Sequence, residues 1–402
     1  MEYSTLKPWQ DISETGIVYT MDSLYARFQE MTDPRKKQGK QYSLLTLLTL
    51  IFLAKLCGKD NPVEIADWAK NKAEELALLL GLQSARMPHH NTIRRVFQYI
   101  IDKDEFERLM QEYHGQKTEK DGEVLSMDGK ALRGTRIPGQ DRCDYVLSVY
   151  DGQTQQVKAQ EVVETKENEI TAAPRVLNQV KLEGKIVTGD AFHTQRAISE
   201  QILEAHGQYL WPVKDNQPRL HNDIQHLFEP DQPKPGFGRI QTDFETAKQV
   251  SYGHGRIEIR TIQTSEMLND YLDWPGVGQV YRLERQFFWV RRAQIYKTSL
   301  EIEYGITSLS REQAPAIQIL KVRRSHWGIE TGLHYRRDVT FHEDATRMTI
   351  GVAGSILSVI HNLVLGLLKR AGFINAAKGR RWFEGHLADA FALLISSGNS
   401  FS

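Results

Sequence analysis

The N-terminal part of the chain alternates apolar and polar residues with the spacing of helices. In residues 43–54 (SLLTLLTLIFLA), leucines recur at intervals of three and four positions. This run has twelve residues, whereas a membrane span needs about twenty, so the pattern predicts a buried core helix. Residues 61–82 predict a further helix, with Asn61 as its cap, Pro62 at its first position and Gly81 near its end.

We therefore expect a helical N-terminal domain over residues 1–115. Its later part, residues 89–100 (HHNTIRRVFQYI), carries Arg94 and Arg95 on a predicted helix. A small helical domain with exposed arginines can bind DNA. It can equally serve as a scaffold for the rest of the chain, and the sequence favours neither role.

The next part of the chain, residues 120–214, changes to short apolar or alternating runs. Residues 123–130 (EVLSMDGK) predict a strand that ends at Asp128, and residues 144–164 alternate as a two-stranded hairpin. A helix, a buried strand at residues 186–188, a second helix and a last strand follow. Early strands followed by alternating helices and strands predict an α/β fold, in which helices pack on a mixed sheet.

The remaining residues divide into two parts. Residues 215–305 interrupt the alternation and are β-rich, which is typical of an insertion into a larger domain. Residues 306–402 return to helical spacing and include a long apolar helix at about residues 348–370. Because that helix contains His361 and Asn362, we expect it to be buried in protein and not in lipid.

The composition limits the classes of function. The 402 residues include 51 basic and 51 acidic side chains, so a nucleic acid would have to be held by local basic patches. The two cysteines, Cys57 and Cys143, form no CxxC pair, which argues against a disulfide scaffold or a thiolate zinc site. The first residues lack the basic-then-apolar pattern of a signal peptide. We expect a cytoplasmic protein without a membrane partner.

Two aspartates follow buried strands, and each of them lies beside a glycine. Asp128 precedes Gly129, and Asp190 follows Gly189. One Asp-Gly pair is usually an ordinary turn, but two carboxylates on adjacent strands would repel each other unless a cation lay between them. Magnesium prefers carboxylate and phosphate oxygens. We expect His193 to cap the following helix, with a supporting role behind Asp190 as the alternative.

A third carboxylate lies in residues 326–338 (HWGIETGLHYRRD). Helical spacing places Trp327, Glu330, His334 and Arg337 along one face. An acid for a metal, cations for phosphates and an aromatic ring for a base are the groups that DNA strand chemistry requires. The alternative is structural: Trp327 packs in the core and Glu330 pairs with Arg337.

Taken in order, these motifs resemble the DDE transposases of bacterial insertion sequences, and in particular the H-repeat-associated group. The resemblance spans nearly the whole chain. It implies a ribonuclease H-like core over residues 120–214 and 306–402, a β-rich insertion at 215–305, and an associated N-terminal helical domain. The blocks that carry it are DPRKKQGKQYSLLTLLTLIFLAKLCG, MDGKALRG, GDAFHTQ and HWGIETGLHYRRDVTFHEDATR.

The resemblance also implies the chemistry of the site. Asp128, Asp190 and Glu330 correspond to the family's catalytic acids, which bind two Mg²⁺ (or Mn²⁺) ions. The implied reaction is cleavage at the ends of the element followed by strand transfer, without a covalent protein intermediate. The implied partners are the terminal inverted repeats, the target DNA and a second copy of the chain in a synaptic homodimer associated with the nucleoid.

Basic and aromatic residues near the three acids are expected to contact DNA. The broader family has tyrosine, arginine, glutamate and then lysine or arginine at fixed spacing, and here Arg323, His326, Glu330 and Arg337 occupy those positions. The first two types are replaced, which leaves open which side chains hold the phosphates. His326 would do so either protonated or as a neutral donor. The expected DNA-contacting residues are Lys130, Arg133, Lys214, Arg323, His326, Trp327, Arg336 and Arg337.

Three other functions fit part of the pattern. An inactive, domesticated descendant of a transposase would bind DNA without cutting it. A metal-dependent nuclease would cut without joining. A metal-dependent phosphatase would explain Asp128 and Asp190 but not the segment from Trp327 to Arg337.

Overall fold

The protein combines N-terminal helices, a large mixed sheet and C-terminal helices, so the predicted α/β class is confirmed. The computed structural model describes residues 10–38, 40–115, 123–137, 139, 143–164, 167–229, 242–253, 255–292 and 294–396. The start of the chain, the linker before the first strand of the large sheet and part of the predicted β-rich stretch lie outside the described residues, at 1–9, 116–122 and 230–241.

The N-terminal helices begin where the sequence supplies caps. Ser43 accepts a hydrogen bond from the amide of Thr46, while Asn61 caps the next helix with Pro62 at its first position, as predicted. The helix predicted after Asn61 is divided in two at Lys72. The described elements of this region are β1 (Gln10–Ile12), β2 (Val18–Thr20), α1 (Leu24–Glu30), α2 (Leu44–Leu56), α3 (Pro62–Asn71), α4 (Ala73–Leu79), α5 (His90–Arg95) with a π-helical turn (Val96–Ile100), and α6 (Lys103–Gly115).

One hydrophobic core joins the N-terminal helices to the C-terminal ones. Leu47, Leu48 and Ile51 of α2 are fully buried, and α2 packs on three helices from the end of the chain. Those helices are α13 (Ala353–Arg370), α14 (Ala376–Gly385) and α15 (Leu387–Ile395). The two apolar runs are therefore core helices, as predicted. Within the described residues we find no helix with the length and apolar character needed to cross a bilayer.

A nine-stranded sheet lies at the centre of the described chain, in the order β5-β4-β3-β6-β7-β11-β10-β9-β8. Within this sheet β4 is antiparallel to both of its neighbours, β3 and β5, whereas β6 and β7 run parallel to β3. The strands are β3 (Val124–Leu132), β4 (Asp144–Asp151), β5 (Gln156–Val163), β6 (Ile186–Thr188), β7 (Gln208–Val213), β8 (Glu245–Gly253), β9 (Arg256–Ser265), β10 (Gln279–Arg291) and β11 (Gln294–Thr307). The helices that alternate with these strands are α7 (Glu169–Leu177), α8 (Arg196–Glu204) and α9 (Pro218–Phe228).

The described part of the β-rich segment extends this sheet. Strands β8 to β11 are antiparallel, and β11 pairs with β7 through Tyr304–Thr307. The rest of β11, residues 294–303, runs past the end of β7. The inserted strand β11 therefore extends past the C-terminal end of β7.

Asp128 does not end its strand, contrary to the prediction. β3 continues to Leu132, because it pairs with β4 as far as Asp144. Its pairing with β6, however, covers only Val124–Ser126. Beyond Ser126, β3 has no paired strand on the side that faces β6 in the described structure. Asp128 therefore still lies where the paired part of that side ends.

The segment around Glu330 is helical, but it is not a regular α-helix. After α10 (Ala316–Ser325), the chain forms α11 (Trp327–Ile329), a π-helical turn (Glu330–His334) and α12 (Tyr335–Val339). We refer to residues 327–339 as the Glu330 helix. π-helical turns are rare and are often found at functional sites, and this one changes the direction of the side chains that follow it.

Candidate active site

The pairing register of β3 and β6 places Asp128 and Asp190 at the same distance along the strand direction. Ser126 of β3 pairs with Thr188 of β6 in parallel, and each aspartate lies two residues further along its strand direction. Asp190 caps a short 3₁₀ turn, where its side chain accepts a hydrogen bond of 3.0 Å from the amide of Phe192. The two carboxylates therefore share one edge of the sheet, as the sequence predicts.

The Glu330 helix lies against this edge. The Nδ1 atom of His334 is 3.4 Å from the Oδ2 atom of Asp128. Trp327 is 48% exposed and Glu330 is also exposed. Arg337 pairs with Glu343 and not with Glu330. The structural alternative for this segment, a buried tryptophan and a Glu330–Arg337 pair, is therefore wrong.

Burial and neighbouring negative charge alter the protonation of Asp128. Burial, together with the charges of Glu169, Asp190 and Glu330, raises the pKa of Asp128 to about 7 against a hydrogen bond from the Gly129 amide. Burial is the larger cause, and the nearby carboxylates act in the same direction because they disfavour the charged form. Asp128 therefore lies close enough to both other predicted acids for their charges to affect it, and also to Glu169, which the sequence did not suggest.

The pKa of Asp190 shifts in the opposite direction, because a buried histidine contacts its carboxylate. Burial alone would raise the pKa of Asp190, but the close contact and charge of the His193 ring, with the amides of His193 and Phe192, keep it below its usual range. His193 is fully buried, and its Nδ1 atom is 2.8 Å from the Oδ1 atom of Asp190. The expectation that His193 caps a helix is wrong, because its side chain supports Asp190 instead.

Sequence reasoning missed Glu169 and Tyr145. Glu169 is the first residue of α7, and the Tyr145 hydroxyl donates a hydrogen bond of 2.6 Å to its Oε1 atom. A capping box formed by Asn168 and Thr171 fixes the start of this helix, and the NEIT sequence carries a signal for it. That signal places Glu169 in a first helical turn but does not show that the turn faces Asp128.

Two histidines of the site are neutral and partly or fully withdrawn from solvent. Burial lowers the pKa of His326 to about 3, and it also lowers the pKa of His334 to about 3. His326 is 5% exposed, and its Nδ1 atom lies 3.2 Å from the Thr188 hydroxyl. The structure thus contradicts the expectation that His326 holds phosphate: its charged form is disfavoured and its ring is enclosed.

Three basic residues expected to contact DNA are instead paired with acids inside the protein. Arg337 is fully buried and donates to both carboxylate oxygens of Glu343, at 2.7 to 3.1 Å. Arg323 forms a bidentate pair with Glu303 at 2.6 and 2.8 Å. Lys130 is 7% exposed. Arg337 and Lys130 in these positions stabilise the fold and do not reach a phosphate, which corrects the prediction for both residues. Arg323 lines a cleft, but its charge is neutralised there by Glu303, so it is not the free phosphate contact that was predicted.

The partner of Lys130 comes from the end of the Glu330 helix. Its Nζ atom lies 2.5 Å from the Oδ1 atom of Asp338. Lys130 therefore links β3, the strand that carries Asp128, to the helix that carries Glu330. Its position two residues after Asp128 in the sequence does not indicate this role.

Four of the expected DNA-contacting residues remain at the surface. Arg133 and Lys214 are exposed, Arg336 is partly exposed, and Trp327 has the exposure given above. Trp327 also lines a cleft of about 720 Å³ between the inserted strands and the helices α10 and α11. The basic residues that line this cleft are Arg256, Arg260, Arg285, Lys321, Arg323 and Arg324.

The donor chemistry of the site suits a hard divalent cation. Carboxylate oxygens are the ligands that Mg²⁺ and Mn²⁺ prefer, and the charges of Glu169, Asp190 and Glu330 all act on Asp128. Among the described residues, no three His, Cys, Asp or Glu side chains already stand together in an arrangement that could hold an ion. The residues therefore fit a cation in type and charge, and the carboxylates would have to adjust to bind it.

Comparison with known proteins places the chain in a family. A family model described as "Transposase DDE domain" matches residues 119–365, and one described as "DDE_Tnp_1-associated" matches residues 25–114. A protein of Escherichia coli O157:H7 named as transposase YncI is 30% identical over 339 residues, which cover 83% of this chain and 84% of that protein.

Two further similarities concern the whole length. A protein of Escherichia coli K12 named as H repeat-associated transposase YhhI is 25% identical, with 92% of this chain and 96% of that protein covered. A solved piggyBac transposase synaptic complex with hairpin DNA has a TM-score of 0.44 and 11% identity, covering 92% and 77%, which is too low to assign the fold. From the family matches and the relatives, the chain belongs to the DDE transposases, and among them to the H-repeat-associated group.

Proposed function

We propose that the protein is an active transposase that cleaves DNA at the ends of an insertion sequence and joins them to target DNA. The catalytic residues of this proposal are Asp128, Asp190 and Glu330. The observation that carries it is the register that places Asp128 of β3 level with Asp190, two residues after β6, with the charge of Glu330 acting on Asp128. If the two aspartates belonged only to ordinary turns, nothing would require them to lie near each other and near a third acid.

The three carboxylates are proposed to hold two Mg²⁺ (or Mn²⁺) ions. Such ions, when bound, activate the attacking oxygen and stabilise the leaving oxygen of a phosphodiester. Water would first free a 3′-hydroxyl at the end of the element, and that hydroxyl would then attack target DNA. The acids are the ligands in both steps, so no side chain has to act as the nucleophile.

We further propose that the half of the sheet ordered β5-β4-β3-β6-β7 is the ribonuclease H-like core implied by the family resemblance. Three antiparallel strands followed by two parallel ones agree with that core. The inserted strands β8 to β11 would then form one wall of the DNA-binding region. The protein would act as a homodimer that holds two element ends in a synaptic complex in the cytoplasm, at the nucleoid.

The DNA-contacting surface in this proposal consists of Arg133, Lys214, Trp327 and Arg336. Trp327 is the aromatic member, and it lies three residues before Glu330 and lines the basic cleft. An exposed indole can stack on an unpaired base beside the scissile phosphate. Arg133, Lys214 and Arg336 would neutralise backbone phosphates and so make binding dependent on salt.

Replacing Trp327 with alanine is expected to weaken binding to DNA that has unpaired bases at its end. Stacking of one base contributes roughly 1–3 kcal/mol, which corresponds to about a 5- to 150-fold rise in Kd. Fluorescence anisotropy with labelled element ends measures this change. Trp327→Phe should retain most of the affinity, because it keeps an aromatic face. Trp382→Ala, at a 38% exposed tryptophan of α14, is the matched control, and equal Kd values for Trp327→Ala and this control would contradict stacking.

A cleavage and joining assay tests the proposed function. The full-length protein is incubated with DNA carrying the ends of the element that encodes it, with Mg²⁺ or Mn²⁺. Nicked ends followed by joined products support the transposase. Ends that are cut but never joined would indicate a nuclease, and ends that are bound without any reaction in either metal would indicate an inactive DNA-binding descendant.

A further inference from the structure

The Glu169 carboxylate lies directly beside the strand residue that follows Asp128. A β-carbon added at Gly129 would meet Glu169 Cδ at 2.6 Å and the Tyr145 ring at 2.4 Å. The glycine therefore leaves the space in which Tyr145 and Glu169 pack against β3. Glu169 is also the carboxylate whose charge acts most strongly on Asp128, ahead of Asp190 and Glu330.

Each oxygen of Glu169 has a different neighbour. Oε1 accepts the hydrogen bond from Tyr145, while Oε2 accepts no hydrogen bond from the described residues and lies 3.4 Å from the Nε2 atom of His193. Burial raises the pKa of Tyr145, and so does its bond to Glu169, so the phenol stays protonated and donates. Glu169 is therefore held at one end and directed at a histidine at the other.

His193 connects this carboxylate to the proposed metal site. Its ring is fully buried between Glu169 and Asp190, with Nδ1 2.8 Å from the Oδ1 atom of Asp190. Gly189 lies close to this histidine and leaves room for it, since a β-carbon added there would lie 3.0 Å from His193 Cβ and 3.1 Å from His193 Nδ1. The chain of contacts runs from Tyr145 through Glu169 and His193 to Asp190. Both ring nitrogens of His193 lie at ion-pair distance from a carboxylate, although neither makes a hydrogen bond of normal geometry within the described residues. Groups in contact with metal ligands fix the orientation of the ligand.

We propose that Glu169 is a positioning residue that acts through His193 to orient the Asp190 carboxylate for a divalent cation. This inference rests on the proposed function, because it assigns Asp190 as a ligand. The competing explanation is that Glu169, as an acid in the first turn of α7, only stabilises that helix through its dipole. Tyr145→Phe separates the two explanations, because it keeps the charge of Glu169 and its place in the first helical turn, so that only a positioning role lets it change the affinity for metal.

The test is Mn²⁺ binding to the full-length protein by isothermal titration calorimetry, without DNA, compared with the Mn²⁺ dependence of strand cleavage. For Glu169→Gln we expect a dissociation constant for Mn²⁺ raised by about 10- to 100-fold. Cleavage should recover to within a few-fold of the unmodified protein at saturating Mn²⁺, because the ligands themselves remain. Tyr145→Phe, which removes only the hydrogen bond to Oε1, should give a smaller rise and serves as the second variant if Glu169→Gln fails to fold.

Glu167→Gln is the matched control. Glu167 lies two residues earlier and pairs with Arg175 at 2.8 Å, so its loss should leave Mn²⁺ binding unchanged. If Glu169→Gln and Tyr145→Phe bind Mn²⁺ like the unmodified protein, Glu169 has no positioning role, although the proposed function stands. If the unmodified protein binds no Mn²⁺ and cleaves no DNA, the proposed function falls and this inference falls with it.

Discussion

Replacing Asp128 with asparagine is expected to reduce strand cleavage by at least about 10³-fold while leaving DNA binding nearly unchanged. Metal ions at a phosphoryl-transfer site supply several kcal/mol of charge stabilisation, and each 1.4 kcal/mol is about a factor of ten in rate. The amide keeps the shape of the side chain but removes a negative ligand. Because Asp128, Asp190 and Glu330 act as one unit, Asp190→Asn and Glu330→Gln should each cause a similar loss.

The measurement is the rate of nicking of labelled element ends in Mg²⁺ and in Mn²⁺, alongside Kd for the same DNA. Asp104→Asn is a suitable control, because Asp104 is a 93% exposed side chain on α6, in the N-terminal helical region. A double variant, Asp128→Asn with Glu330→Gln, should be no worse than either single variant. Cleavage by Asp128→Asn at more than about a tenth of the original rate would show that the site is elsewhere or that the acid is not a ligand.

Local patterns were sufficient to predict where most strands and helices occur. The apolar run at residues 43–54, the cap at Asn61 and the strand before Asp190 all depend on residues close in sequence, and each is confirmed. The proximity of Asp128 and Asp190 was also predictable, because parallel neighbours in an α/β sheet present their carboxyl ends at one edge.

The groups around those acids were not predictable, because they depend on contacts between distant segments. Tyr145 comes from β4, Glu169 from α7 and His193 from the turn after β6, and only the register and helix packing bring them together. Periodicity also failed at the Glu330 helix. A π-helical turn at Glu330–His334 breaks the assumed α-helical face, and Arg337 consequently points into the core.

Buried charges were the largest error of the sequence interpretation. The prediction places Arg337 at the DNA because helical spacing puts it on one face with Trp327 and Glu330, and because it occupies the family's lysine or arginine position. In the structure it lies in a network of polar groups that links the Glu330 helix to α13 and α2. His361 of α13 donates from Nδ1 to Glu343 at 2.7 Å, and its Nε2 lies 2.9 Å from the Nζ atom of Lys55. Since a protonated lysine can only donate, this contact assigns the neutral His361 tautomer that carries its proton on Nδ1.

The polarity of this network makes Glu343 dependent on Arg337. Burial would raise the pKa of the Glu343 carboxyl, but the Arg337 charge and the hydrogen bond from His361 hold that pKa well below its usual value of 4.5. Arg337 also donates to the Ser358 hydroxyl at 2.6 Å. Removing one partner would leave a buried charge without compensation, whereas removing both would not.

Replacing Arg337 with methionine is therefore expected to lower the free energy of unfolding by about 3–5 kcal/mol, and Glu343→Leu should cost a similar amount. The double variant should lose much less than the sum of the two. Urea denaturation followed by circular dichroism measures each value, and added Mg²⁺ should not restore the single variants, because a bound cation replaces neither partner of the buried pair. Arg108→Met, which breaks an exposed pair with Glu112 on α6, is the control and should leave the midpoint unchanged.

The sign of the pH dependence follows from the lowered pKa of Glu343. A carboxyl whose pKa is lower in the folded state stabilises the fold above its unfolded pKa, near 4.5, and this contribution is lost as the pH falls towards the folded value. The difference between the unmodified protein and Arg337→Met should be full at neutral pH and should shrink below about pH 4.5. A difference that stays constant from neutral pH through this range would show that Arg337 stabilises the core by packing alone, without its charge.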